Sequence, residues 1–141
     1  MFKIATLNIN GLASRTKVEM LDDFLRRQDI GILFLQEASH STIDTLRRCK
    51  PCTNVGTSGR GTAMVTRKEI TITNITRLPS GRGIAAEYRG IWWGNVYAPS
   101  GTIKRREREH FYNNELPYLL RVSPSNLIVG GDFKCVLRVE L

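Results

Sequence analysis

The chain has 141 residues, of which 41% are apolar, 8% aromatic and 24% charged, which suits one folded domain with a real core and excludes a disordered or fibrous chain. Its 21 Lys+Arg against 13 Asp+Glu give a formal net charge of +8 and a pI near 9.9, which favours a polyanionic partner. The longest strongly apolar run, Ile30 to Leu35, is far too short to span a bilayer, so no membrane partner is expected. Met1-Phe2-Lys3-Ile4 leads straight into alternating residues and not into the apolar stretch of a secretory signal. Three cysteines make no disulfide framework and suit a reducing compartment.

Phe2 to Asn8 reads as a strand that ends in a polar loop, Asn8 to Ser14. Thr16-Lys17-Val18-Glu19 has the form of a capping box, and Val18, Leu21, Phe24 and Leu25 then recur at helical spacing to about Gln28. Ile30 to Leu35 is a continuous apolar run, as in a strand buried on both faces, and it stops abruptly at Gln36-Glu37. A short helix is expected over Ser41 to Arg48, halted by Lys50-Pro51. Strands follow at Thr62–Thr66, Ile70–Ile75, Ile84–Tyr88 and Ile91–Tyr97, separated by Gly, Pro and charged turns. Lys104 to Leu120 returns to helix, with Phe111, Leu116, Leu119 and Leu120 buried, and Asn126 to Asp132 forms a last strand. No internal repeat or linker interrupts the chain. Helices and strands interleave, so the class is α/β (or α+β), layered around a central sheet in one domain over residues 1–141.

Charge is concentrated in the middle of the chain. Residues 51–100 carry six basic side chains, Arg60, Arg67, Lys68, Arg77, Arg82 and Arg89, against two acidic ones. Such a series either lines a phosphate-tracking face or is an ordinary solvated surface. The placement of acids and amides is more telling. Asn8, Glu37 and Asp132 each fall at the C-terminal end of an expected strand, where α/β sheets form their ligand crevices. Together they would offer the oxygen ligands that Mg²⁺ takes, and Tyr97 closes a fourth strand near the same rim. Taken singly, each has a plainer account: Asn8 as a turn former, Glu37 and Asp132 as caps, Tyr97 as core.

Thr6-Leu7-Asn8-Ile9-Asn10-Gly11-Leu12, Leu35-Gln36-Glu37, Asn95-Val96-Tyr97-Ala98-Pro99 and Gly130-Gly131-Asp132-Phe133 occur in that order. The set resembles the successive motifs of the endonuclease/exonuclease/phosphatase superfamily, and is most similar to the apurinic-endonuclease-like domain of non-LTR (LINE-type) retrotransposons. The resemblance implies a DNase I-like four-layer α/β sandwich, here partial because the closing strands of the second sheet are absent. It implies a Mg²⁺ (or Mn²⁺) cofactor held by Glu37 with Asn8. Tyr97 would contact the scissile phosphate, and Asp132 would orient or deprotonate the attacking water. It further implies DNA as partner and substrate, nicked to leave a 3′-hydroxyl, with Asn10, Arg60, Arg82 and Lys134 as substrate-binding candidates. A reverse transcriptase in a parent polyprotein, an intracellular and nuclear location, and self-association through open sheet edges complete the expectations.

Two departures from the family pattern bear on activity. Lys134 stands where the family motif has asparagine, exchanging a donor-and-acceptor amide for a donor-only charge that competes with a cation for Glu37 and Asp132. The family's later Asp-His motif is not found, the two histidines being His40 and His110. The expectation is therefore an impaired or inactive endonuclease domain, the alternatives being a non-catalytic nucleic-acid-binding remnant or a phosphatase of the same superfamily. Weaker patterns carry less. Cys49-Lys50-Pro51-Cys52 trails a helix, where the dipole opposes a reactive thiolate. Gly81-Arg82-Gly83 and Gly56 to Thr62 read as turns. Trp92-Trp93 should send one indole into the core and the other outward or under a helix, where an exposed ring would stack on a base.

Overall fold

The computed structural model describes residues 2–12, 14–39, 46, 49–101, 104–122 and 126–135. Eight strands among them form two four-stranded sheets. The first sheet has the order β1 (Lys3–Asn8), β2 (Ile30–Ala38), β4 (Gly61–Arg67), β3 (Cys49–Val55), and β1 runs parallel to β2. The second has the order β5 (Thr73–Arg77), β6 (Gly83–Tyr88), β7 (Ile91–Tyr97), β8 (Leu127–Asp132), and β8 runs parallel to β7. Helix α1 (Arg15–Arg27) covers the first sheet. The second is covered by α2 (Arg105–His110) and α3 (Leu116–Arg121), joined through a π-helical turn at Phe111–Glu115.

Alternation along the strands separates three apolar layers. Odd residues of β2, Leu33 and Leu35, pack with Val65 against Val18, Leu21 and Leu25 of α1. Even residues, Ile32 and Phe34, meet Met64, Ile84, Ala86 and Trp93 between the sheets. Leu78, Ala85 and Val96 pack on Phe111 and Leu119 beyond the second sheet. The result is the four-layer α/β/β/α sandwich that the sequence reading anticipates.

Several local expectations need correction. The N-cap of α1 is Ser14, whose hydroxyl accepts the Lys17 N–H at 3.2 Å, two residues before the expected Thr16. Cys49 to Val55 is an edge strand and not the tail of a helix. Pro51 is tolerated there because a proline at an edge need not donate to the ladder. The strand expected at Ile70 begins only at Thr73, since Ile70 and Ile72 turn into the core between the sheets. Leu120 is 43% exposed, while Leu119 is buried. Pro117 has no N–H to continue an α-ladder. The chain inserts a π-turn just before it, with Leu116 N–H bonded to Phe111 O, which turns the face that follows. Trp93 is buried between the sheets, and Trp92 is partly buried against the apolar layer that holds Phe111 and Leu119. The helix expected over Ser41 to Arg48 and the position of His40 lie outside the described residues.

Between the sheets, directly beneath the strand ends, sits a pair of buried amides. Asn95 of β7 donates from Nδ2 to Leu35 O at 2.8 Å and to Ala63 O at 2.9 Å. Its Oδ1 accepts from Gln36 Nε2 at 2.8 Å, and that same nitrogen donates to Thr6 Oγ1 at 2.9 Å. Four strands from both sheets are tied by two side chains that are 0% and 1% exposed. An unsatisfied buried amide costs about 1–3 kcal/mol. Asn95→Ala, which removes one acceptor from Gln36 and the side-chain donor to two buried carbonyls, should therefore lower unfolding stability in urea by about 1–3 kcal/mol. A change within about 0.5 kcal/mol, the usual effect of a surface substitution, would show that the amide pair is not a stabilising clip.

Candidate active site

Four strand ends converge above this amide pair. Asn8 ends β1, Tyr97 ends β7 and Asp132 ends β8, while Glu37 lies in β2, one residue past Gln36. Strict alternation would send Glu37 toward α1, on the side of Leu33 and Leu35. Instead the register slips between Gln36, opposite Thr62, and Ala38, opposite Gly61, so that Glu37 is an extra residue in the strand with φ of 55°. A bulge of this kind re-aims a side chain, and here it turns the carboxylate into the cluster. Asp132 is delivered by two glycines that the packing requires. A Cβ on Gly130 would come within 2.9 Å of the Phe34 ring. Gly131 has φ of +142°, and a Cβ there would meet Val96 O at 2.0 Å.

The centre of the cluster is the Asn8 amide. Its Nδ2 gives one hydrogen to Glu37 Oε1 and the other to Asp132 Oδ2, each at 3.0 Å, linking carboxylates from different sheets. Asn8 Oδ1 accepts the Asn10 N–H at 3.0 Å, which folds the following loop back onto the site. Tyr97 OH donates to Glu37 Oε1 at 3.1 Å. Arg60 donates to Glu37 Oε2 at 2.8 Å and to Asn10 Oδ1 at 3.3 Å. Lys134 Nζ lies 2.8 Å from Asp132 Oδ2. Arg82 stands behind Tyr97, with its guanidinium carbon 5.2 Å from the ring centroid, one N–H on Tyr97 O at 3.3 Å, and Glu107 at 3.5 Å.

The structure thus brings Asn8, Asn10, Glu37, Arg60, Tyr97, Asp132 and Lys134 into one hydrogen-bonded network, with Arg82 bracing it from the side. It does not unite the basic series of residues 51–100. Arg60 precedes β4 at the site end. Arg67 closes that strand roughly 20 Å away, where it is held by Asp29 and by Ile30 O. Lys68 follows it, and Arg89 caps the distant β6–β7 turn over the Tyr88 ring. Arg77 is occupied by Thr53 O at 2.8 Å and Cys52 Sγ at 3.1 Å. Cys49 and Cys52 face different layers of the fold, and burial pushes both thiols up. Gln36 and Asn95 stand in the motif blocks beside Glu37 and Tyr97 but are given no role by sequence alone, and the structure shows them buried beneath the site.

Electrostatics hold both carboxylates ionised. The Asn8 amide, with Tyr97 and Arg60, keeps the Glu37 carboxyl below its ordinary range against the opposing effect of burial. Burial also acts to raise Asp132, but the Lys134 ammonium and the Asn8 amide together outweigh it and hold that carboxyl low. The bond to Asp132 raises Lys134, while burial and Glu37 raise the Tyr97 phenol. The two carboxylates are hard oxygen donors of the kind that Mg²⁺ or Mn²⁺ takes, and Mg²⁺ commonly uses only one or two protein carboxylates. Asn8 turns its nitrogen toward them and keeps its oxygen on the Asn10 N–H. The donor chemistry therefore fits such an ion. The charge balance opposes it, because each carboxylate already has a cationic partner. Among the described residues there is no cluster of three or more His, Cys, Asp or Glu able to hold a metal. No helix among them is long and apolar enough to cross a membrane.

The depressed carboxyls contribute stability above about pH 4, their unfolded range, and that contribution is lost as pH falls through their lower folded values. Raised Lys134 contributes below about pH 10.4, its unfolded value, and its contribution is lost as pH rises through the folded one. The melting temperature should accordingly be level through neutral pH and fall on acidification below about pH 4. The acid-side fall should be smaller in the Glu37→Gln, Asp132→Asn double variant. An identical acid profile in parent and variant would show that these two groups do not govern it.

The Endonuclease/Exonuclease/phosphatase family profile matches residues 5–133. Among solved structures, the chain is similar to an AP endonuclease from Archaeoglobus fulgidus, at 21% identity and a TM-score of 0.76, over 94% of this chain and 57% of that one. It is similar to the 3′ phosphatase NExo from Neisseria bound to a product DNA hairpin, at 19% identity and a TM-score of 0.76, over 95% and 58%. It is also similar to D. rerio TDP2 complexed with a single-strand DNA product, at 17% identity and a TM-score of 0.71, over 96% and 61%. The chain therefore spans about three fifths of the length of these structures. A comparison with curated proteins finds no match. With the family profile covering nearly its whole length and the sandwich shared with these structures, the chain belongs to the Endonuclease/Exonuclease/phosphatase family.

Proposed function

We propose that the chain is the catalytic-site portion of a Mg²⁺- or Mn²⁺-dependent DNA endonuclease of the retrotransposon (LINE-type) branch, one whose hydrolysis is weak. The observation that carries this reading is the Asn8 amide joining Glu37 and Asp132, residues 95 positions apart in sequence, at the rim of the two sheets. The opening Thr6-Leu7-Asn8-Ile9-Asn10-Gly11-Leu12 supports the retrotransposon branch over a phosphatase. Similar structures that hold DNA products support DNA as the substrate.

Glu37 would hold the divalent ion, which when bound supplies charge neutralisation at the phosphate, and Asn8 would join it by turning its amide so that Oδ1, now on the Asn10 N–H, replaces Nδ2. The chain's own groups do the rest. Asp132, kept ionised, accepts a proton from the attacking water and aims it at phosphorus. The P–O3′ bond breaks, and the departing oxygen takes up a proton to become the 3′-hydroxyl. Tyr97 OH, now on Glu37, is placed to donate to a phosphate oxygen, and Arg82 fixes the ring for that contact. Arg60 and Lys134 can each transfer to phosphate oxygens when substrate enters, releasing the carboxylates. The alternative, a non-catalytic nucleic-acid binder, is favoured by one observation: both carboxylates are ion-paired within the chain.

Open edges are the basis for proposing self-association. β1 and β8 are the outer strands on one side of the sandwich, and Ile4 and Ile128, 41% and 46% exposed, sit there. An exposed apolar edge of this kind should produce concentration-dependent oligomers in sedimentation. A monomer at all concentrations would contradict that.

Supercoiled plasmid incubated with the chain and Mg²⁺ at low salt should be nicked slowly, and Glu37→Ala should abolish the residual activity. Loss of one electrostatic stabiliser typically costs about 10²–10³ in rate. DNA binding without any Glu37-dependent nicking would establish the non-catalytic reading instead. Binding itself should fall steeply with salt. Reversing Arg60 and Arg82 at the site end should weaken it more than reversing Lys68 and Arg89 at the far end. Equal losses would mean that net charge alone drives binding.

A further inference from the structure

Both carboxylates of the site carry a cation supplied by the chain itself. Arg60 is half exposed, but its guanidinium is tethered at two points. It rises from the β3–β4 turn, lies over Gly11, where an added Cβ would come 3.6 Å from its guanidinium, and is fixed by acceptors on Asn10 and Glu37. Lys134 reaches back two residues to Asp132 from a backbone with φ of 50°, a conformation uncommon outside glycine. The result is two negative and two positive groups within one network, joined through Asn8. A divalent ion entering such a cluster gains two carboxylates but is repelled by two full charges at close range.

We infer that Arg60 and Lys134 are built-in counter-cations of the Glu37–Asp132 pair, so that a divalent cation binds this chain only by displacing them. The inference rests on the reading of Glu37 as the divalent-cation ligand, with the Asp132 carboxylate beside it, and adds what controls occupancy of that site. Phosphate supplied by substrate is the natural acceptor for both displaced side chains, because Arg and Lys carry only donors and phosphate oxygens only accept. The ion should therefore bind weakly alone and more tightly when an oligonucleotide is present. In this arrangement Arg60 and Lys134 act as positioning residues: they hold the carboxylates until the substrate takes their place.

The test is direct binding of Mn²⁺ to the 141-residue chain, read as loss of the free-ion electron paramagnetic resonance signal, with circular dichroism melting to verify that each variant is folded. Removing one positive charge a few ångström from a dication should tighten Mn²⁺ binding by roughly tenfold in Lys134→Gln, and similarly in Arg60→Gln. Lys134→Arg, which keeps the charge, should bind as weakly as the parent, and Glu37→Gln should bind least. Affinities in Lys134→Gln and Arg60→Gln that equal or fall below a Glu37-dependent parent affinity would overturn the inference while leaving the cation site standing. Folded proteins that all fail to bind Mn²⁺, or that bind it independently of Glu37, would overturn the cation site and the inference with it.

Discussion

The arrangement of the site depends on a buried amide pair. Apolar side chains between face-to-face sheets interdigitate and set their spacing and approximate angle, but being non-directional they leave some freedom in the relative register. Asn95 and Gln36 remove that freedom at one end, because their hydrogen bonds have fixed partners on β1, β2 and β4. With that end fixed, the backbone positions of Tyr97, two residues beyond Asn95, and Glu37, one residue beyond Gln36, are brought to the same rim. The apolar layers supply most of the stability of the sandwich, but the amides determine which strand ends face each other.

A second constraint is local. The bulge at Glu37 and the glycine pair before Asp132 depart from regular strand geometry, and both departures occur within a few residues of the carboxylates. Regular strands would have pointed Glu37 into the helix layer and pressed a side chain at position 130 against Phe34. Irregular backbone at this one rim is what turns two packed sheets into a site. It also explains why the site is polar yet satisfied, with Asn8 supplying both carboxylates from a single nitrogen.

Much of this was legible in the sequence, for identifiable reasons. The long apolar run of β2 and the β-favouring runs of β6 and β7, bounded by Gly, Pro and charged turns, mark strands that the sequence delimits clearly. The four blocks around Asn8, Glu37, Tyr97 and Asp132 placed the polar residues at strand ends in the correct order. The edge strand β3 was missed because Cys49-Lys50-Pro51-Cys52 has low strand propensity and is recruited by pairing with β4. Leu120 was misplaced because the π-turn before Pro117 changes the helical phase. The division of the basic residues between opposite ends of the sandwich follows from strand length and hairpin direction, neither of which appears in a charge count.

The most direct measurement is the anomalous scattering of Mn²⁺ in crystals of the chain grown with a short oligonucleotide. The expected map has one strong peak about 2.0–2.3 Å from a Glu37 carboxylate oxygen. Arg60 and Lys134 should have turned away from Glu37 and Asp132 onto the phosphate. A peak remote from Glu37, or no peak while both ion pairs persist beside bound oligonucleotide, would contradict the assignment of this cluster as a metal-assisted hydrolytic centre.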